Sequence, residues 1–222
     1  MSYMLTLQDI TPVTHDTYKL TFNRPEGFEF SAGQATELAI QKDGLRDESR
    51  PFTMTSRPND PHLEFVIKSY PDHDGVTKEI PNLSVTDQVE ASEPFGAITD
   101  HGAGVFIAGG AGITPFISIL RKQQQEGTDT AKLIFANKTP DDIILQEMWQ
   151  SMPNVDPTFV VSDGDTPDTR EGKVDKAMLK DLVQDKQQPF YICGPSGMVD
   201  DVRNALVDLG VEKDRIITED GW

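Results

Sequence analysis

A single cysteine, Cys193, stands in the 222 residues. One thiol excludes an internal disulfide, a cysteine-held iron–sulfur cluster and a cysteine-rich zinc site. No apolar run approaches the roughly 20 residues needed to cross a membrane. The opening Met1-Ser2-Tyr3-Met4-Leu5 has no basic region followed by an apolar core. Membrane insertion is therefore not expected, and the cytoplasm is the expected compartment. Basic residues are also scarce, 20 Lys and Arg against 37 Asp and Glu, which leaves a formal net charge of -17. That balance argues against nucleic acid and anionic membrane as partners, since both reward basic surface. A solvated acidic surface suited to a salty cytoplasm would explain the charge, and so would an acidic face that docks a basic protein. The four histidines (His15, His62, His73 and His101) fall in predicted turns or strand edges without ligand spacing, so no metal is expected. Internal repeats and low-complexity segments are absent too.

What is present divides into two textures. Up to about residue 100, apolar and β-branched residues alternate or cluster at Tyr3 to Ile10, Thr17 to Phe22, Ala35 to Ile40, Phe52 to Ser56, Leu63 to Ser69 and Gln88 to Ala91. Turn-formers separate these runs, as in Arg24-Pro25-Glu26-Gly27 and Pro58-Asn59-Asp60-Pro61. Six short, punctuated strands predict a small antiparallel barrel. One helical turn is expected at Thr77 to Ile80, stopped by Pro81. From residue 103, strand-like runs at 105–108, 132–136, 158–162 and 190–193 alternate with helical stretches at 114–126, 141–151, 174–185 and 197–209. A last strand is expected at Arg215 to Thr218. This alternation predicts βα units, hence a parallel sheet with helices on both faces. The expected organisation is a barrel domain at 1–100 and an α/β domain at 101–222, with the boundary near Thr99-Asp100-His101-Gly102.

Four stretches carry chemistry. In Val105 to Pro115, a buried strand meets the glycine turn Gly109-Gly110-Ala111-Gly112 and then a helix. Thr114 can cap that helix and Pro115 fits its first turn. Free amides and the helix dipole there suit a phosphate, although a plain tight turn would read the same way. Near the C-terminus, Phe190-Tyr191-Ile192-Cys193-Gly194-Pro195-Ser196-Gly197-Met198 repeats the pattern. In the first half, Arg50-Pro51-Phe52-Thr53 places Arg50 and Phe52 on one strand face and Thr53 on the other. An arginine suits a phosphate, an aromatic a planar ring, and a hydroxyl a ring nitrogen. An ordinary barrel strand is the competing account. Gly75-Val76-Thr77-Lys78 opens a short helix whose amides would suit a pyrophosphate, or is simply a capped turn. Nothing beside Cys193 marks it as a hydrolytic nucleophile.

These stretches, in this order, resemble the ferredoxin–NADP reductase superfamily of flavoprotein oxidoreductases. Arg50-Pro51-Phe52-Thr53 is similar to its Arg-x-aromatic-Ser/Thr flavin motif and Gly75-Val76-Thr77 to its Gly-x-x-Ser/Thr pyrophosphate motif. Glu93-Pro94-Phe95-Gly96 resembles its Gly-Pro-Phe-Gly turn, with Glu93 in place of the glycine. Gly109 to Pro115 resembles its dinucleotide turn, and Cys193-Gly194-Pro195 its second nicotinamide-side motif. The resemblance implies a Greek-key barrel binding FAD and an α/β domain binding NADH or NADPH as hydride donor, with the two rings meeting between them. It implies that Arg50 holds the FAD phosphate, that Phe52 packs on the flavin, and that Thr53 bonds near its N5. Pro51 belongs to the same motif, and Ile67 and Lys68 contact FAD through their backbone. Gly75, Val76 and Thr77 take the pyrophosphate. Gly110, Gly112 and Thr114 cradle the NAD(P) phosphates and nicotinamide, while Cys193, Gly194, Pro195 and Met198 line the nicotinamide pocket. Glu219 resembles a C-terminal family glutamate that assists proton or electron traffic, and Trp222 a terminal aromatic that covers the flavin or another cofactor ring.

Donor choice should rest on Asn137 and Lys138, after the second α/β strand, and on Asp163 and Asp165 after the third. Acids near the adenosine ribose would repel a 2′-phosphate, so NADH is favoured, with Lys138 and Arg170 as the opposing cations. The implied activity is reduction of a separate acceptor, such as a ferredoxin, flavodoxin, haem protein, oxygenase component or small molecule. A net charge of -17 would repel acidic acceptors unless salt screens it. A free-flavin reductase is the alternative, and a non-enzymatic flavin-based redox-sensing subunit a third reading.

Overall fold

Period-two alternation in the first hundred residues produces six antiparallel strands, β1 (Ser2–Pro12), β2 (Thr17–Asn23), β3 (Ala35–Ile40), β4 (Ser49–Thr53), β5 (His62–Lys68) and β6 (Gln88–Ser92). The computed structural model describes residues 2–72, 75–96, 98–164 and 166–219. The strands lie in the order β4-β3-β6-β1-β2-β5. Met54 bridges Phe65, which nearly closes the sheet into a barrel. Leu5 and Leu7, Leu20 and Phe22, and Leu63, Phe65 and Ile67 each sit two apart and all point into one core. Phe22 and Phe65 meet edge to face there, with centroids 5.9 Å apart.

Beyond residue 100 the βα units assemble a second sheet. Its elements are β7 (Val105–Gly109), α2 (Thr114–Glu126), β8 (Ala131–Asn137), α3 (Gln146–Ser151), β9 (Val155–Val161), β10 (Thr169–Glu171), α4 (Lys176–Leu182), β11 (Phe190–Cys193), α5 (Ser196–Asp208) and β12 (Ile216–Thr218). A one-turn helix, α1 (Val76–Glu79), belongs to the first half. The order β10-β9-β8-β7-β11-β12 is parallel throughout. Every residue of β7 is buried, as a central parallel strand covered on both faces requires. One compact unit comprises residues 1–99 with 114–119, and the other 100–113 with 120–222.

Five local expectations are corrected. The strand expected at Phe52 to Ser56 runs instead from Ser49 to Thr53. Its edge position tolerates Pro51, and after Thr53 the chain crosses over, with Met54 donating to Gln34 and Thr55 to Glu64. Pro81 does not stop α1 outright but sits inside a following tight turn, Ile80–Asn82. The helix expected at 141–151 is broken by Leu145, held at φ 57°. A separate turn at Pro140–Asp142 precedes it, where the Asp142 carboxylate accepts from the Thr139 amide and hydroxyl at 2.9 and 2.7 Å. Thr114 caps nothing, because Gly110–Ile113 already winds as a tight turn and Ile113 takes the position before α2 with no side-chain bond. The edge strand β10 was not expected at all. Three residues, Thr169-Arg170-Glu171, are too few and too polar to show a period.

Candidate cofactor sites

In the first unit the two stretches expected to hold flavin phosphate come together. Arg50 lies exposed on edge strand β4. Its guanidinium donates to the Ser49 carbonyl at 2.7 Å and reaches the Glu48 carboxylate at 3.5 Å. Gly75 stands at φ 102°, ψ -156°, a region that only glycine enters readily. A Cβ built on it would lie 3.1 Å from Glu48 Oε2 and 3.7 Å from Arg50 Nη2. Buried Val76 pins this turn to the barrel core. Arginine fork and backbone turn thus share one small space, a cradle that a side chain at residue 75 would fill. Phe52 is half-buried, packed on the barrel core, and Thr53 lies opposite Ala35.

The backbone of β5 presents its two edges alternately. The Glu64 carbonyl accepts from Thr55 N–H at 2.7 Å, and its own N–H donates to Ser56 Oγ at 3.1 Å, so its peptide groups face away from β2. Alternation turns Val66 and Lys68 the same way, while Ile67, paired with Tyr18, faces β2. Of the residues expected to offer backbone to FAD, Lys68 therefore turns its peptide groups away from β2 and Ile67 turns them toward it. The Lys68 ammonium is engaged by Asp16 at 2.8 Å.

In the second unit the two glycine turns lock together. Strands β7 and β11 are neighbours, with Cys193 opposite Ala108. A Cβ on Gly112 would lie 2.4 Å from the Cys193 carbonyl oxygen and 2.6 Å from Gly194 Cα. On Gly109 it would meet the Met198 sulfur at 2.7 Å and Pro195 Cδ at 3.0 Å. Gly112 is therefore glycine because the second turn lies against it. Gly110 differs, with φ 51° and nothing within 4 Å of an added Cβ, so its backbone is open to a ligand. The helical winding begins at Gly110, which puts the leading amides in the turn itself rather than at Thr114.

At the adjoining strand ends, Lys138 is stitched to the loop after β9, its carbonyl accepting from Asp163 N–H at 2.9 Å. Both polar atoms of the Asn137 carboxamide are buried and have no hydrogen-bond partner among the described residues. Buried amides are nearly always satisfied, so an orphaned one at the C-terminal end of a parallel strand marks a place for a polar ligand group. Arg170, the second candidate cation, is paired with Asp181 at 3.0 Å. Asp165 and Trp222 lie outside the described residues.

Cys193 sits with its thiol 3.9 Å from Glu219 Oε2. Burial pushes the thiol far up, and the neighbouring carboxylate adds to this, so Cys193 is a neutral thiol at physiological pH. Burial also raises Glu219, against the opposing hydrogen bond from Cys193. The pair is a protonatable contact at the end of the sheet, and the thiol is no nucleophile.

An FAD-binding domain family matches residues 2–139, and an oxidoreductase NAD-binding domain family matches residues 106–204. The chain is 31% identical over 227 residues to the reductase component of propane 2-monooxygenase from Rhodococcus jostii, covering 93% of this chain and 60% of that protein. It is 27% identical over 249 residues to NADH-cytochrome b5 reductase 2 from Mycosarcoma maydis, covering 95% and 70%. The CS-b5R domains of human Ncb5or, solved in the NAD+ form, match with a TM-score of 0.86 and 25% identity over 98% of this chain and 69% of that one. The chain thus spans 60% of the length of the first of these relatives. No helix among the described residues is long and apolar enough to cross a membrane. The chain belongs to the ferredoxin–NADP reductase superfamily, with an FAD-binding and an NAD-binding domain.

Proposed function

We propose that this protein is an FAD-dependent NAD(P)H oxidoreductase, with NADH favoured, that passes electrons to a separate acceptor. FAD is assigned to residues 1–100 and the nicotinamide dinucleotide to residues 101–222. The carrying observation is the pairing of the Arg50 guanidinium with the Gly75 turn in one cradle. Bound together, flavin and nicotinamide supply hydride transfer and then single-electron release, chemistry that belongs to the cofactors. The chain's own residues bind and orient. Arg50 and the Gly75-Val76-Thr77 amides neutralise pyrophosphate, and the Val66 and Lys68 peptide groups offer hydrogen bonds along the β5 edge. Phe52 and Thr53 set the ring position. Gly110 and Gly112 bring backbone amides to the dinucleotide, with Thr114 beside them. Asn137 offers its orphaned carboxamide to the adenosine half. Met198 and Pro195 wall the nicotinamide side, and Glu219 accepts from the Cys193 thiol at its edge.

The acceptor is of the kind the relatives' names suggest, an oxygenase component or a cytochrome; a ferredoxin, flavodoxin or other small acceptor fits the same chemistry. The net charge of -17 favours an acceptor with a basic surface, or strong salt screening. A free-flavin reductase is the second reading, favoured by the Glu48 carboxylate beside Arg50, which would loosen a phosphate.

The test is anaerobic mixing of the flavin-loaded protein with NADH or NADPH, followed by the visible flavin absorption. NADH is expected to bleach the flavin rapidly and NADPH more slowly. Failure with both donors would sink both enzyme readings and leave a redox-sensing subunit. Retained colour after dialysis selects bound FAD over exchangeable flavin. Asp163 lies exposed beside the Lys138 carbonyl, and Asp163→Asn removes one acidic charge from the expected ribose end. That variant is expected to raise the NADPH rate relative to NADH about fivefold, the scale of one exposed charge interaction. An unchanged ratio would remove Asp163 from donor selection.

A further inference from the structure

Glu48 has no role in the leading reading above, in which FAD stays bound, yet its carboxylate lies beside the arginine expected to hold the flavin phosphate. It stands 3.5 Å from Arg50 Nη2, and it is the atom nearest to a Cβ built on Gly75. Arg50 and Glu48 are about half exposed, so their attraction is worth little and yields readily to a stronger anion. Among the described residues Arg50 is the one partner of the Glu48 carboxylate; its backbone N–H donates to the Leu45 carbonyl, which fixes the loop and leaves the side chain to turn. A carboxylate and a pyrophosphate cannot share one arginine fork without like-charge repulsion. The same carboxylate lies 3.1 Å from where a Cβ on Gly75 would stand, beside the turn expected to take the pyrophosphate.

We propose that Glu48 is an intramolecular competitor for the flavin phosphate, holding the Arg50 fork in position and lowering the affinity of the barrel for phosphorylated flavins. This rests on the assignment of Arg50 to the FAD phosphate. Glu48 is a positioning and selectivity residue, and it touches no reacting atom. Its consequence is specific: the protein discriminates less between FAD and riboflavin, which lacks phosphate, than its arginine and glycine turn would otherwise allow.

The experiment is equilibrium titration of the deflavinated 222-residue chain with FAD and with riboflavin, read by flavin fluorescence, for the parent, Glu48→Gln, Glu48→Ala and Arg50→Gln. Glu48→Gln and Glu48→Ala are each expected to tighten FAD about three- to fivefold, the range of an exposed ion pair, and to leave riboflavin within about twofold. Arg50→Gln is expected to weaken FAD and spare riboflavin. FAD affinity that is unchanged or weaker in both Glu48 variants, with Arg50→Gln still weakening FAD, would overturn the role of Glu48 alone. Equal tightening of FAD and riboflavin would also overturn it, since the effect would then not act through phosphate. If Arg50→Gln leaves FAD unaffected, the phosphate assignment falls and the competitor role falls with it.

Discussion

Alanine in place of Gly112 is expected to destabilise the second unit by about 3 kcal/mol, the upper end of the usual cost of overpacking. It should also abolish flavin reduction by NADH. The new methyl would lie 2.4 Å from the Cys193 carbonyl oxygen and 2.5 Å from its carbon. Those are backbone atoms on neighbouring strand β11, so no rotamer change relieves the clash and one turn must move off the other. Gly110→Ala is the control. It introduces a methyl with no neighbour within 4 Å at φ 51°, so its cost is the intrinsic left-handed penalty of about 1–2 kcal/mol. Urea unfolding followed by circular dichroism, with NADH bleaching on the folded fraction, separates the two. Equal stability losses would show that the close approach of the two turns carries no energy.

The contrast marks what the sequence could and could not tell. The glycine turn at 109–112 and its repeat at Cys193-Gly194-Pro195 were legible because glycine after a buried apolar run is a local signal. That Gly112 is held by Cys193, while Gly110 is open, depends on the adjacency of β7 and β11, which local pattern does not encode. The antiparallel barrel and the parallel α/β sheet followed from hydrophobic period in the same direct way. Strand β4 shifted because its edge pairing with β3 overrode the apolar run from Phe52 to Ser56. The helix expected at 141–151 failed because Thr139, Pro140 and Asp142 make a self-contained turn. Glu48 was invisible for another reason: a glutamate in an exposed polar loop has no period, and only the approach of Gly75 gives it meaning.

The acidic boundary segment carries the second large expected effect. Asp100, in the boundary segment, accepts at its carboxylate from Lys122 Nζ and Gln123 Nε2 at 2.7 Å each and from Gly102 N–H at 3.0 Å. Beside it the Tyr191 hydroxyl accepts from His101 N–H and donates to the Gly102 carbonyl, both at 2.8 Å, and its ring stacks on Phe106 at 4.1 Å. Residues 100–102 are thereby fixed to the second unit by side chains from α2 and β11. Asp100→Ala is expected to cost about 3 kcal/mol, since it strands the Gln123 carboxamide, which is fully buried and whose oxygen already has no partner. The loss should depend on pH in a defined direction. Burial by itself would raise the Asp100 carboxyl, but the bonds from Lys122, Gln123 and Gly102 outweigh it and hold the group below the ordinary carboxylate value. A carboxylate depressed on folding stabilises the protein above its unfolded pKa of about 3.9 and loses that contribution as pH falls through the lower, folded value. The stability gap between the parent and Asp100→Ala should therefore be full at neutral pH and shrink below about pH 4. Comparing the two proteins by chemical unfolding at matched pH cancels the other acidic groups, which titrate alike in both. A gap that stays constant from neutral to acid pH would mean that the Asp100 charge, and with it the bond to Lys122, contributes nothing to holding the segment.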